Sequence, residues 1–349
     1  MDITIGQRPV GSSHRPYLIA EMSGNHNRSL NRALEIVDAA ADSGADAIKL
    51  QTYTAETMTL NTRAPGFVIE DPTSLWAGRQ LYDLYDEAHT PWDWHQPIMQ
   101  RARERGLHCF STPFDDTAVD FLESLDVPAY KIASFECTDL PLIRRVAATG
   151  KPLIISTGMA TLSEIDEAVR TARSAGATQI ILLKCTSTYP ASPTNTNITT
   201  IPNLRAATGC QVGLSDHTMG CGVALASVAL GATVIEKHFT LRRADGGVDS
   251  SFSMEPDEFR TLRTESERAW QSLGAVSYGG SLAEEKSKIF RRSLYISADM
   301  KAGDTLSRAN VRIIRPGFGL PPKYIDTVLG RTIRRDATAG TPIDWALLA

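Results

Sequence analysis

The feature that most constrains the fold is a rhythm of short apolar runs, each followed by a polar residue and then by a segment with helical periodicity. Such runs predict buried strands. Their alternation with helical segments favours parallel βα units over a sandwich or a helix bundle. The predicted strands lie near residues 17–21, 46–51, 107–112, 129–133, 152–156, 179–185, 211–215 and 232–238. Eight parallel strands close a barrel, so the sequence predicts an α/β fold of the (βα)8 TIM-barrel type.

The segments between the predicted strands have helical periodicity, with one exception. Residues 30–41 and 163–173 place apolar residues three and four positions apart, which predicts amphipathic helices. Glycines that follow such segments, among them Gly44 and Gly106, predict helix ends. The exception is residues 52–92, which are too long for a simple loop. A long segment after a barrel strand predicts an element that shapes an active-site entrance.

The pattern changes near the carboxyl-terminal end of the chain. The Gly-containing stretch 277–281 predicts a boundary between a barrel domain of residues 1–280 and a small β-rich domain of residues 281–349. Within the second domain, Asp299–Leu306 is echoed by Asp336–Ile343, with a glycine at the same offset. We therefore expect two pseudo-symmetric halves in this domain.

Composition and charge exclude several classes of protein. The chain has 349 residues, of which 42% are hydrophobic, and a net charge of -4, which predicts a globular chain without a basic surface for nucleic acid. No apolar run is long enough to span a membrane. The first residues lack the apolar region of a signal peptide, which predicts a cytoplasmic location. The five cysteines have no Cys-x-x-Cys spacing and are predicted to be reduced thiols.

Two histidines lie where predicted strands give way to polar turns. His217 lies in the run GLSDHT and His238 in the run IEKHFT. Side chains alternate along a strand, so Ser215 shares a face with His217, and Glu236 shares a face with His238. Two imidazoles from neighbouring strands, with a carboxylate or water, predict a site for a divalent ion such as manganese, cobalt or zinc. The alternative is that each histidine is a hydrogen-bonded residue at a strand end.

Three lysines, Lys49, Lys131 and Lys184, end three different predicted strands and would converge on an anion. Polar side chains at neighbouring strand ends would add hydrogen bonds: Gln51, Thr112, Ser134, Ser156 and Ser215. Cations and hydroxyl donors of this kind stabilise phosphate and carboxylate groups. The alternative for each lysine is a solvated surface amine. Neither a Walker loop nor a dinucleotide fingerprint is present, which predicts an anion on a small substrate and not a nucleotide.

Glu21 follows the first apolar run and precedes the run MSGNHN. A carboxylate in this place can take or give a proton, or hold the hydroxyl groups of a sugar. The alternative is that Glu21 caps a helix or pairs with Lys49. The residues alone leave both readings open.

Seven segments in combination resemble the sialic acid synthase family. They are Ile19–Asn27, Ala45–Thr52, Phe110–Phe114, Tyr130–Ser134, Gly213–Thr218, Glu236–Phe239 and Arg315–Gly319. The resemblance covers essentially the full chain. It implies a transferase with a TIM barrel and a small β-rich SAF (antifreeze-like, β-clip) domain, with phosphoenolpyruvate and an acetamido sugar as substrates. It also implies a divalent metal, manganese first and magnesium or cobalt as alternatives, and a domain-swapped homodimer.

The resemblance further implies roles for individual residues. His217 and His238 would hold the metal on the aldehyde oxygen of the sugar, and Glu21 would orient the sugar or move a proton. Contacts with phosphoenolpyruvate would come from Lys49, Gln51, Thr112, Lys131, Ser134, Ser156 and Ser215. Other substrate contacts would come from Glu136, Lys184, Ser187, Tyr189, Asp249 and Arg315. In the family the arginine matched by Arg315 comes from the partner chain. Lys184 and Ser187 stand where many neuraminate synthases have histidine and asparagine.

Three segments, 21–27, 244–249 with Ser253, and 315–324, resemble one branch of the family. That branch condenses phosphoenolpyruvate with 2,4-diacetamido-2,4,6-trideoxy-L-altrose and releases phosphate by C–O cleavage. Its acceptor carries a methyl group at C6, for which an apolar patch is needed. Candidates for this patch are Tyr53, Phe67, Phe114 and Tyr189.

Other functions remain open at this point. A manno-configured acetamido sugar would make the chain a neuraminate or legionaminate synthase. A Schiff-base aldolase on the same fold could use Lys131 or Lys49 as its nucleophile and would need no metal. A non-catalytic binding module would use the small domain, with the barrel as a scaffold.

Overall fold

A computed structural model describes residues 2–349, which form two compact units. The first unit ends at Gly274 and the second runs from Ala275 to Ala349. The boundary predicted after residue 280 lies a few residues further along the chain. Among the described residues no helix is both long enough and apolar enough to cross a bilayer. All five cysteines are free thiols, and four of them are buried.

The first unit is built on a closed barrel of eight parallel strands, as the sequence predicts. The barrel strands are β3 (Tyr17–Glu21), β4 (Ala47–Thr52), β5 (His108–Pro113), β6 (Tyr130–Ile132), β7 (Leu153–Ser156), β8 (Ile180–Cys185), β9 (Gln211–Ser215) and β10 (Val234–His238). Strand β10 pairs with both β9 and β3, which closes the barrel. The observed and predicted bounds agree to within about two residues, which is the usual uncertainty of a strand end. The TIM-barrel prediction is confirmed.

One α-helix follows each barrel strand except β4, which three helices follow. The helices are α1 (Leu30–Asp42), α2 (Ala55–Met58), α3 (Leu81–Ala88), α4 (Trp92–Glu104), α5 (Asp116–Ser124), α6 (Leu140–Ala147), α7 (Leu162–Ser174), α8 (Thr200–Thr208), α9 (Gly222–Ala229) and α10 (Pro256–Leu273). Local sequence sets their ends: Thr161 and Glu164 form a capping box at the start of α7. Gly44 and Gly106 follow helices with positive φ values of 83° and 74°, as predicted for helix ends.

Two elements lie outside the regular alternation. An antiparallel hairpin, β1 (Ile3–Ile5) with β2 (Arg8–Val10), precedes the first barrel strand. Its three-residue strands are too short to show periodicity, so the sequence did not predict them. The long interval 52–92 is folded, because it contains α2, α3 and the start of α4. Backbone hydrogen bonds between its two arms, at Val68 and Gln80, close it into a compact segment.

The second unit is small and β-rich. Strand β11 (Ser293–Ile296) pairs antiparallel with β12 (Val311–Ile314), and one short helix, α11 (Ile325–Val328), follows. Its core contains Leu294, Ile296, Met300, Leu306, Val311, Leu320, Val328, Ile333, Ala337, Ile343, Leu347 and Leu348. Much of the remaining chain is held by isolated bridges and turns instead of long strands.

The two sequence repeats of this unit pair with each other in a pseudo-symmetric way. Reciprocal backbone hydrogen bonds join matching positions: Met300 N to Ala337 O (2.8 Å), Ala337 N to Met300 O (3.0 Å), Gly303 N to Ile333 O (2.8 Å) and Gly340 N to Ile296 O (2.8 Å). The carboxylates match as well. Asp336 accepts from the amide of Ala302 at 2.9 Å, and Asp299 accepts from that of Ala339 at 2.8 Å. The predicted pseudo-symmetric halves are therefore present.

One buried histidine should make the barrel sensitive to acid. His95 of α4 is buried, and its neutral ring donates from Nδ1 to Pro91 O (3.2 Å) and accepts at Nε2 from Thr52 Oγ1 (2.7 Å). Burial lowers the pKa of His95 to about 4. The folded protein binds a proton at His95 less readily than the unfolded chain does. Stability is therefore highest above the pKa of the unfolded state and is lost as pH falls toward the pKa of the folded state. Stability should therefore fall between about pH 6.5 and pH 4, by about 3 kcal/mol from this group.

Urea unfolding of the wild type and of His95→Gln at pH 7, 5.5 and 4 measures this contribution. We expect the variant to be less stable at pH 7 and to lose less stability on acidification. If the difference between the two proteins were the same at pH 7 and pH 4, His95 would not be the titrating group.

Candidate active site

The carboxyl ends of the barrel strands surround a small cavity of about 60 Å³, lined mainly by polar side chains, which we call the floor cavity. The predicted site residues that line it are Glu21, Lys49, Gln51, Thr112, Lys131, Ser134, Ser156, Tyr189, Ser215, His217 and His238. The structure thus brings together most of the side chains singled out at the predicted strand ends. Polar groups from different strands meet here because all parallel strands of a barrel end on the same face.

Strand alternation explains which side chains enter the floor cavity. On β4, Lys49 and Gln51 are two positions apart and both line it. Glu236 and His238 of β10 share the same relation, and both also line it. Alternate side chains of a strand lie on one face, so each pair is delivered together. The sequence predicts that the two members of each pair lie on the same face of their strand, and the structure shows that they do.

The lysines of the floor are paired with carboxylates. Lys49 Nζ lies 2.6 Å from Glu21 Oε2, and Lys131 Nζ donates to Ser156 Oγ at 2.7 Å. Glu236 Oε1 lies between the two ammonium groups, 3.9 Å from Lys49 Nζ and 3.8 Å from Lys131 Nζ. Two lysines and two glutamates balance in charge, so the floor is not the bare cationic cradle expected from the lysines alone. Glu236 was placed on the right face by strand alternation, but its pairing with both lysines was missed.

Burial shifts the protonation equilibria of these groups. Burial raises the pKa of Glu21 above its usual range, and the neighbouring Lys49 only partly opposes this effect. Burial lowers the pKa of Lys131, against the attraction of Glu236. A carboxyl group with a raised pKa can exchange a proton near neutral pH, which makes Glu21 a candidate acid or base.

Lys184 does not reach the floor cavity. Its side chain is half-buried, and its Nζ donates to the carbonyl of Cys185 at 2.7 Å. Cys185, the next residue of β8, lines the cavity in its place. The expectation that three lysines converge on one anion is therefore corrected to two. The physical reason is strand parity, because adjacent residues of a strand point to opposite faces.

The two histidines lie side by side at the rim of the floor cavity. Their ring centroids are 5.3 Å apart. His217 Nδ1 donates to the carbonyl of Thr186 at 2.9 Å, which leaves Nε2 as the nitrogen on the other side of the ring. His238 Nδ1 is buried, has no hydrogen-bond partner among the described residues, and lies 3.7 Å from Asp249 Oδ2. Burial, reinforced by His217, holds the pKa of His238 well below its usual range, so its ring is neutral.

This histidine pair fits a divalent metal as an incomplete ligand set. Neutral imidazoles are common ligands of first-row divalent ions, and a backbone carbonyl on the far nitrogen, as at His217, is the usual support for such a ligand. Among residues 2–349 no group of three His, Cys, Asp or Glu side chains is arranged around one metal position. The histidines could therefore hold an ion whose other positions are filled by substrate or water.

Asp249 is joined to Glu21 by a chain of hydrogen bonds. Gln51 Nε2 donates to Glu21 Oε1 at 2.8 Å and to Ser23 Oγ at 3.1 Å. The hydroxyl of Ser23 donates in turn to Asp249 Oδ2. The two carboxylates are thereby fixed on opposite ends of one polar network. Ser23 was not among the predicted site residues, although it lies in the segment Ile19–Asn27 that carried the family resemblance.

Asn25 holds the loop that carries Asp249. Its side-chain amide donates to Phe239 O and to Ser253 Oγ, both at 2.9 Å. Ser253 Oγ donates to the backbone carbonyl of Asp249 at 2.7 Å. The loop after β3 therefore positions the loop after β10, next to His238.

A larger cavity of about 420 Å³, which we call the outer cavity, adjoins the floor cavity. The remaining predicted residues of the barrel that line it are Glu136, Ser187 and Asp249, and four predicted residues line both cavities: Gln51, Ser134, Tyr189 and His238. Ser187 Oγ donates to Ser134 Oγ at 2.8 Å. Glu136 Oε2 is buried without a hydrogen-bond partner among the described residues, and burial raises the pKa of this carboxyl group. An acceptor in this state suits a ligand that brings its own hydrogen-bond donor.

Arg315 belongs to the second unit. It follows β12 directly, its side chain is exposed, and a cis peptide bond joins it to Pro316. The role implied for Arg315 by the family resemblance stays a prediction.

Fold and site together define the class of this protein. The chain has a parallel (βα)8 barrel with polar side chains that converge at the carboxyl ends of its strands, as in barrel enzymes. A small β-rich unit follows the barrel. The model of the NeuB family matches residues 36–278, and the model of the SAF domain matches residues 291–349. The chain belongs to the NeuB family, which confirms the family and the SAF domain expected from the sequence.

Individual relatives extend the match over nearly the full chain. The pseudaminic acid synthase of Campylobacter jejuni is 42% identical over 324 residues, which cover 93% of this chain and 94% of the relative. The N,N'-diacetyllegionaminic acid synthase of the same organism is 37% identical over 90% of this chain and 94% of its own length. A crystal structure of N-acetylneuraminic acid synthetase from Leptospira borgpetersenii, in complex with citrate, is 31% identical, with a TM-score of 0.74 over 82% of this chain and 95% of that chain.

Proposed function

We propose that the protein is a pseudaminic acid synthase. It condenses phosphoenolpyruvate with 2,4-diacetamido-2,4,6-trideoxy-L-altrose to give pseudaminate and phosphate by C–O cleavage. The observation that carries the proposal is the pair of adjoining cavities, one small and charged and one larger, with His238 on the lining of both. The choice of branch is supported by the identity to the pseudaminic acid synthase of C. jejuni, 42% against 37% to the legionaminic acid synthase of that organism.

The floor cavity suits phosphoenolpyruvate. Lys49 and Lys131 supply two buried ammonium groups, and Thr112, Ser156 and Ser215 supply hydroxyl groups around them. Donors of this kind bind phosphate and carboxylate oxygens strongly where water is excluded. Glu236 keeps the lysines in place and balances their charge before the anion arrives. Lys184 has no part in this grip.

We further propose that His217 and His238 hold a divalent ion, manganese first, with magnesium or cobalt as alternatives. When bound, the ion would act as a Lewis acid on the aldehyde oxygen of the acceptor sugar. The chain's own contribution is to orient both imidazoles and to keep His238 neutral. Thr186 O orients the ring of His217, and burial keeps His238 unprotonated.

Carbon 3 of phosphoenolpyruvate attacks C1 of the open-chain sugar in the proposed reaction, and water then adds at C2. Glu21 takes a proton from that water at its carboxylate and gives it to the alkoxide oxygen formed at C1, with Lys49 and Gln51 holding the carboxylate in place. The tetrahedral hemiketal phosphate that results expels phosphate by C–O cleavage. Asp249, oriented by Ser23, would bind hydroxyl groups of the sugar.

The second unit would contribute Arg315 to sugar binding. This exposed arginine would bind the N-acetyl end of the sugar from the partner chain of a domain-swapped homodimer. A cytoplasmic location is proposed on the same footing, since both substrates are metabolites.

Phosphate release with three acceptor sugars tests the proposed function. Phosphoenolpyruvate and manganese would be supplied with 2,4-diacetamido-2,4,6-trideoxy-L-altrose, with N-acetylmannosamine, or with the manno isomer of the diacetamido sugar. We expect turnover with the altrose sugar and at least about 100-fold lower kcat/KM with the others, because a site built for one set of hydrogen bonds rejects analogues that leave its polar groups unpaired. Preference for a manno sugar would move the protein to the neuraminate or legionaminate branch. No phosphate from any sugar would refute the synthase proposal.

A further inference from the structure

The lining of the outer cavity is chemically mixed. Polar groups of Gln51, Ser134 and His238 lie where it is shared with the floor cavity. Apolar side chains come from the segment between β4 and α4. Its members Met58, Ile69, Trp76, Leu81 and Leu84, which we call the apolar wall, line the outer cavity but not the floor cavity.

We propose that the apolar wall is the specificity element of the enzyme and takes the C6 methyl group of the acceptor, selecting 6-deoxy over 6-hydroxy sugars. This inference rests on the proposed function and adds the residues that read the far end of the sugar. Of the aromatic residues considered from the sequence, Tyr53, Phe114 and Tyr189 line the outer cavity, whereas Phe67 does not. None of the five wall residues was singled out from the sequence.

The position of the wall follows from where the two substrates must meet. C1 of the acceptor reacts beside the floor cavity, so it lies near His238, on the lining shared by both cavities. The wall residues are absent from the floor cavity. A linear sugar with C1 at the shared lining extends its distal carbons, C4 to C6, into the outer cavity, whose lining includes the wall.

The wall is preformed by packing and hydrogen bonding. Trp76 Nε1 donates to the carbonyl of Val248 at 3.1 Å, and its ring lies 6.0 Å from that of Tyr189. Leu84 is buried on α3. A binding surface whose side chains are already held in place loses little conformational entropy when a ligand arrives.

The chemistry of the wall distinguishes a methyl from a hydroxymethyl group. Four of its five side chains have no hydrogen-bonding hydrogen, and the indole N–H of Trp76 is already engaged by Val248. A methyl group placed there is removed from water at no polar cost. A C6 hydroxyl placed there would lose its hydrogen bonds to water without replacement. An apolar pocket of this type discriminates against an added hydroxyl by about 100-fold.

The test compares two sugars on wild-type and variant enzymes in the full-length protein. The sugars are 2,4-diacetamido-2,4,6-trideoxy-L-altrose and its 6-hydroxy counterpart, and the readout is the ratio of their kcat/KM values. Leu84→Asn introduces an amide into the wall, and Ile69→Thr introduces a hydroxyl at a half-buried position where folding is at less risk. Leu60→Asn is the matched control, because Leu60 is 66% exposed in the same segment and does not line the outer cavity.

We expect the wild type and Leu60→Asn to prefer the 6-deoxy sugar by about 100-fold and the wall variants to reduce that preference by about tenfold. The KM for phosphoenolpyruvate should not change in any variant. An unchanged preference in a folded Leu84→Asn or Ile69→Thr enzyme that still turns over would overturn this inference and leave the proposed function standing. Absence of turnover by the wild type with either sugar would overturn the proposed function, and the inference with it.

Discussion

Replacing His238 with alanine should lower the rate of phosphate release by about 1,000-fold or more without unfolding the barrel. A Lewis acid on the acceptor aldehyde is worth several kcal/mol, and each ~1.4 kcal/mol is a factor of ten in rate. His238 ends β10 and its Nδ1 makes no hydrogen bond within the described residues, so its loss removes a ligand without breaking a hydrogen bond of that nitrogen. Manganese binding, followed by titration calorimetry on chelator-treated protein, should weaken in parallel.

His14→Ala provides the matched control for this experiment. His14 lies in the loop before β3, on the opposite face of the barrel, where its ring contacts Asp2 at 3.0 Å. Both rate and manganese affinity should be unchanged in this variant. Full activity of chelator-treated His238→Ala would refute the metal role of His238, and unaltered manganese binding with lost activity would assign His238 a different role.

Replacing Lys131 with methionine should reduce kcat/KM for phosphoenolpyruvate by about 100-fold to 1,000-fold, because a preorganised donor in a buried site is worth about 3–4 kcal/mol. Lys131 is 2% exposed, hydrogen-bonded to Ser156 and close to Glu236. Its removal leaves Glu236 with Lys49 as its remaining cation in the floor cavity. The variant should therefore also lose about 3 kcal/mol of stability, which urea unfolding measures.

Lys184→Met distinguishes an anion site with two lysines from one with three. Lys184 also ends a barrel strand, but its side chain bonds a backbone carbonyl outside the floor cavity. We expect its KM for phosphoenolpyruvate to change less than about threefold, as for a surface substitution. A loss equal to that of Lys131→Met would restore the three-lysine site expected from the sequence. Trapping of pyruvate on Lys131 by borohydride would instead favour a Schiff-base aldolase.

The barrel was predictable because its strands are buried on both faces. β3 has all five residues buried, and such a strand leaves a continuous apolar run in the sequence. The hairpin β1–β2 was missed because three residues are too few for a periodic signal. Helix ends at Gly44 and Gly106 were predictable because only residues that tolerate positive φ suit them.

The site residues could be predicted where two polar residues of one strand are two positions apart, because such residues lie on the same face of the strand. Gln51 follows Lys49 by two positions and shares its cavity, and the same holds for Glu236 and His238. Lys184 was wrongly assigned to the cavity because the prediction considered its charge and not the face of β8 on which it lies. The apolar wall was invisible in the sequence, because an irregular segment has no period and tertiary folding alone decides which of its side chains face a cavity.

The pairing of the two repeats in the second unit determines how that unit unfolds. The amides of Gly303 and Gly340 each donate to the opposite half of the unit, and Asp336 and Asp299 each accept from an amide of the other repeat. If either half opened alone, these amides of the other half would lose their partners. We therefore expect the two halves to unfold together as one cooperative unit.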